Sequence, residues 1–81
     1  MGDEIESLAR RFPHHASTIR RLQARDPSFR LICDDYGAAQ RALQHWEAAG
    51  QAAPGRVAEY RQILTELEAE ALAILGAFEG K

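Results

Sequence analysis

Cys33 is the only thiol in the chain, and Asp34 and Asp35 follow it directly. Neighbouring carboxylates raise a thiol's pKa and disfavour the thiolate that nucleophilic chemistry needs. Cys33 therefore reads as a small, partly buried hydrophobe. His14 and His15 are adjacent, so on a helix their rings point about 100° apart, whereas two histidines sharing a metal ion want a spacing of three or four. His45 has no ligand-spaced companion. Glycine-rich phosphate loops, Ser-His-Asp sets and convergent carboxylates are all missing from the sequence, and these are what an active site of ordinary chemistry is built from. The expectation is a non-enzyme with no catalytic, cofactor-binding or metal-ligating residues and no cofactor.

Arginine supplies the remaining constellation. Arg10, Arg11, Arg20, Arg21 and Arg25 fall in a block, residues 10–30, that holds six arginines against the single acid Asp26. Guanidinium forks suit phosphate and carboxylate alike, so this block is a candidate patch for RNA, DNA or an acidic protein groove. Two plainer readings stand beside it: a solvated face, and pairing with residues 59–81, where five glutamates outnumber Arg61 and Lys81. The whole chain is slightly acidic, with 10 basic against 12 acidic side chains and a pI near 5.9. Nucleic acid is therefore the alternative partner and protein the first.

The elements that must carry these residues are helices. Alanine, arginine, glutamate, leucine and glutamine dominate and Val57 is the lone valine, a helix-forming composition without a strand candidate. Pro13, Asp26-Pro27 and the cluster Gly50-Gln51-Ala52-Ala53-Pro54-Gly55 divide the chain into four pieces. The first, residues 3–11, has Asp3 as N-cap and an apolar stripe of Ile5, Leu8 and Phe12; it is short and expected to fray. Pro13 suits the first turn of a second short helix that runs through Ile19 and Leu22 to Arg25. Asp26-Pro27 then reads as N-cap and first helical residue, with a bend, because proline disfavours α geometry in the residue before it.

Beyond Pro27 the apolar pattern is a heptad. Phe29, Tyr36 and Leu43 occupy a positions and Ile32, Ala39 and Trp46 d positions; after the loop, Val57, Leu64, Ala71 and Phe78 take a, and Tyr60, Leu67 and Ile74 take d. A loop of about six residues, with Gly50 as C-cap, can only join two such helices as an antiparallel hairpin. The expected architecture is one all-α domain over residues 1–81: short N-terminal helices within 3–25, hairpin helices at 27–49 and 56–79, and a loop at 50–55. The matching register sets Leu43 on Tyr60, Ala39 on Leu64, Tyr36 on Leu67, Ile32 on Ala71, Phe29 on Ile74 and Trp46 on Val57. Both alanines then meet large aliphatic side chains. It also makes Asp35 and Glu70 flanking neighbours, a mild like-charge penalty.

These residues resemble a known family, the YdcH-like bacterial proteins, short helical hairpins described as a domain of unknown function. The likeness spans about residues 12–75 and is carried by Phe12, Ile19, Leu22, Asp26, Phe29, Tyr36, Leu43 and Glu47, and by the closing Leu67-Glu68-Ala69-Glu70-Ala71. The resemblance implies an α-hairpin without known catalysis.

Eighty-one residues make a thin core, since 15 of the 37 apolar residues are alanine, and one cysteine rules out an internal disulfide. Chains this short often draw on a partner. Ile63, Leu72 and Leu75 lie beside the a/d seam of the last helix and need cover. Either the segment with Ile19 and Leu22 folds back over them, or a second hairpin docks to make a four-helix bundle. These five residues are the candidate partner-binding anchors of an interaction or adaptor module, whose partner is a second copy of the chain, a dimer being the favoured homo-oligomer, or an unidentified protein. No run approaches the roughly 18 apolar residues of a membrane span. The start Met1-Gly2-Asp3-Glu4-Ile5-Glu6 is acidic where a signal peptide is basic, and it lacks the Ser or Thr of a myristoylation site. A cytoplasmic location without membrane contact is expected.

Overall fold

The computed structural model describes residues 3–49 and 54–79, with side chains described over 7–49 and 55–79. Every element in it is helical: α1 (Asp3–Arg11), a 3-10 turn (Pro13–His15), α2 (Ala16–Arg25), α3 (Pro27–Ala48) and α4 (Pro54–Glu79). No strand occurs among the described residues.

The turn between α2 and α3 follows from two residues. Asp26 is extended, with φ −117° and ψ 106°, as a residue before proline should be. Its Oδ1 accepts hydrogen bonds from the backbone N–H of Ser28 at 2.9 Å and of Phe29 at 3.4 Å. Two of the four orphan donors of α3 are thereby satisfied, while Pro27 removes a third. At Pro13 the chain differs from expectation. The proline opens a separate 3-10 turn, and α2 begins only at Ala16, because Phe12 (ψ 72°) and His15 (ψ 7°) leave the α region on either side of it. Asp3 stands inside α1 rather than ahead of it. Helix α4 starts at Pro54, two residues earlier than expected, in the position where proline is best tolerated. Residues 50–53, including the Gly50 cap, lie outside the described residues.

Helices α3 and α4 make the most extensive contact, and α1 packs chiefly on α3. Tyr36 on α3 meets Glu68 on α4, and Glu47 meets Arg61. Glu68 is the neighbour of the Leu67 expected opposite Tyr36. The core consists of Leu8, Ala9, Ile19, Leu22, Phe29, Cys33, Tyr36, Ala39, Leu64, Ala71 and Leu75. Leu8 is fully buried and Ala9 nearly so. The side of α1 that carries them therefore docks, although helices this short are marginal when isolated.

The core departs from a two-helix seam in one systematic way. On α4 the central a residues Leu64 and Ala71 are buried, while the end a residues Val57 and Phe78 and all three d residues, Tyr60, Leu67 and Ile74, are only half-buried. Leu75, at the e position, is fully buried, and so is Cys33, the e residue of α3. The apolar centre is displaced toward the e flank, where α1 and α2 lie. The body measures 46 × 24 × 21 Å.

Candidate interaction surface

The five candidate anchors fall into two groups. Ile19, Leu22 and Leu75 are buried within the chain, whereas Ile63 keeps 40% and Leu72 43% of its surface exposed. Leu75 does not stand on an open flank beside the seam, as the heptad suggested, because the seam has a third wall. Of α2, which carries Ile19 and Leu22, more lies against α1 and α3 than against α4. It closes the core without covering Ile63 or Leu72. Leu31, which the periodicity did not single out, is 62% exposed.

Ile63 belongs to a shallow groove of about 330 Å³ on the flank away from α1, lined by Asp35, Ala38, Ala42 and Tyr60 together with Ala39 and Leu67. Three alanines form its α3 wall, so a partner's side chain can approach the helix backbone closely. Leu31 stands seven residues before Ala38 and extends the same stripe along α3. At the loop end, Arg56 lies over the indole of Trp46, with its Cζ 5.8 Å from the ring centroid. The same guanidinium makes an exposed pair with Glu59 at 3.3 Å.

The opposite flank is stitched by polar contacts. Tyr36 Oη donates to Glu68 Oε2 at 2.6 Å, and Arg11 Nε donates to the same oxygen at 3.1 Å. Gln40 Nε2 lies 3.4 Å from the phenol oxygen. One carboxylate oxygen thus gathers α1, α3 and α4. Burial, then the hydrogen bond to Glu68, pushes the Tyr36 phenol up to about 12. Farther along, His15 Nδ1 sits 3.0 Å from Glu79 Oε2. Hydrogen bonds from His15 and then Thr18 hold the Glu79 carboxyl below its usual range. Among the described residues no group of three or more His, Cys, Asp or Glu is placed to hold a metal ion. Burial, then the charge of Asp34, raises the Cys33 thiol to about 11, far from the pKa of a reactive thiolate.

The arginine block does not form one surface. Arg11 is engaged by Glu68 and lies over the Phe12 ring, so the pairing with the acidic last helix is realised at this position. Arg10 and Arg11 line a second open groove with Ser7, Gln40, Arg41 and Gln44, about 590 Å³ between α1 and α3. Arg41 therefore joins the patch from outside the block. Arg20, Arg21 and Arg25 are exposed on α2 and are not among its lining residues. Arg41 was hidden from sequence reasoning because only the docking of α1 on α3 brings it near Arg10.

No described helix is long and apolar enough to cross a membrane. No protein-family model matches the chain, and neither a curated protein nor a solved structure matches it.

Proposed function

We propose that this chain is a non-catalytic interaction or adaptor module of the cytoplasm: an antiparallel helical hairpin of the YdcH-like kind, braced on one flank by short N-terminal helices and working through the other. The observation that carries the reading is the asymmetry of the α3–α4 pair. One flank is closed by Leu8, Ile19, Leu22 and Leu75, while the other leaves Ile63 and Leu31 in solvent beside an alanine-walled groove. Exposed aliphatic side chains grouped beside a groove mark protein contact surfaces more often than chance. The opposite ordering of the Tyr36–Glu68 and Glu47–Arg61 contacts and the Asp26 cap before Phe29 support the hairpin reading.

The test is a tagged pull-down from source-cell lysate, with and without nuclease, using the wild-type chain and Ile63→Asp. Protein partners retained by the wild type and lost with Ile63→Asp are the expected outcome. A second reading, nucleic-acid binding, draws on the 590 Å³ groove, where Arg10, Arg11 and Arg41 converge. It predicts nuclease-sensitive retention that falls steeply with salt and with paired Arg10 and Arg11 to Glu changes. Retained proteins unchanged by Ile63→Asp overturn the open-flank reading.

A further inference from the structure

The open flank carries a charge pattern that selects its own partner. Arg56, Ile63 and Glu70 recur every seven residues along α4, at g positions of the heptad. All three are exposed. A spacing of seven returns a helix to nearly the same face, so these side chains form one stripe, with the base and the acid each about 10.5 Å from the isoleucine. Asp35 reinforces the acidic end from α3: it lines the groove beside Leu67, and Leu67 is three residues before Glu70. An acidic end on an apolar flank favours an incoming cation.

We propose that the occupant of this flank is a second copy of the chain, docked antiparallel about a two-fold axis through Ile63. This rests on the open-flank reading above and names its partner. The two-fold operation exchanges the ends of the stripe. Arg56 of each copy comes opposite Glu70 and Asp35 of the other, and Ile63 meets Ile63 over the small side chains of Ala38 and Ala42. A self-complementary patch of this kind closes after two copies and leaves no free end for further growth. Arg56 has two intrachain contacts, and neither is an obstacle: the exposed i,i+3 pair with Glu59 is weak and easily exchanged, and the Trp46 ring, 5.8 Å away, takes one face of the guanidinium and leaves its N–H edge to donate.

Sedimentation equilibrium of the full chain over a concentration series into the millimolar range tests the arrangement. The wild type is expected to dimerise without larger species. Arg56→Glu and Glu70→Arg, each alone, should weaken the dimer by about tenfold or more by setting like charges opposite one another. The double swap Arg56→Glu with Glu70→Arg should recover most of the loss, since the exchanged charges again face opposites. All three changes are on the surface, and circular dichroism confirms that helix content is kept. A wild type that stays monomeric throughout, or a double swap no better than the single variants, overturns the proposal. A monomeric wild type leaves the adaptor reading standing as long as Ile63→Asp still strips partners from the pull-down, so the two failures are separable.

Discussion

The two flanks of the α3–α4 seam start from similar sequence and end differently. The e flank, with Cys33 and Leu75, disappears under α1 and α2; the g flank, with Asp35, Ala42 and Ile63, remains in solvent. On the closed flank the side chains belong to three elements at once. On the open flank half-buried d residues, Tyr60, Leu67 and Ile74, are the outermost layer. A heptad therefore specifies a line along each helix, and the third wall decides to which side of that line the core extends.

Truncating one buried and one exposed leucine of α4 tests how far the closed core extends. Leu75→Ala should lower unfolding free energy by about 2–5 kcal/mol in urea titrations, the ordinary cost of a buried leucine. Leu72→Ala, three residues away and exposed, should change it by no more than about 0.5 kcal/mol. Equal losses at the two sites would mean that the e flank is not closed as described.

Tyr36→Phe probes the polar clasp. It removes the hydrogen bond to Glu68 and should cost about 1.5–3 kcal/mol, the range for hydrogen bonds to charged groups. The same phenol gives the fold an alkaline limit. Its pKa is 10.0 as a free group and about 12 in the fold, so the folded state holds this proton more tightly. The associated stability is complete below pH 10 and is lost as pH rises from 10 to 12. Cys33, raised from 9.0 to about 11, opens the decline one unit earlier. Tyr36→Phe should flatten the upper part of the stability profile and leave the part due to Cys33.

Asp26→Ala removes the cap that turns α2 back along α3, with an expected cost of about 0.5–2 kcal/mol, read from the thermal midpoint. The smallest effect belongs to Gly76, which sits inside α4 on the surface with nothing within 4 Å of an added Cβ. Gly76→Ala should stabilise by up to about 1 kcal/mol through helix propensity. Being away from both flanks, it is the control for a general change in α4.

Local features were legible in the sequence. Asp26-Pro27 announced its own cap and bend, and the composition excluded strands. Three outcomes depended on placement in space. The stripe of Ile5, Leu8 and Phe12 gives α1 an apolar side, yet nothing local says which side of the hairpin it covers. Leu75 lies beside the a/d seam in the heptad, and a two-helix repeat cannot say whether the segment with Ile19 and Leu22 or a second copy covers it. The clasp at Glu68 needed Arg11, Tyr36 and a glutamate more than thirty residues beyond Tyr36, an arrangement that no spacing rule connects. For the same reason Arg41 joined Arg10 and Arg11 only after α1 had docked.

Trp46, the only tryptophan of the chain, sits near the end of α3 with His45 edge-on at a centroid distance of 5.0 Å and the Arg56 guanidinium above it. It is half-buried and remote from the Tyr36 clasp. Its indole is therefore a built-in optical gauge for the far end of the helix pair. Emission should shift to the red when that end parts, and in a Tyr60→Phe background the one remaining tyrosine, Tyr36, follows the clasp, so the order in which the two ends open can be watched without a label.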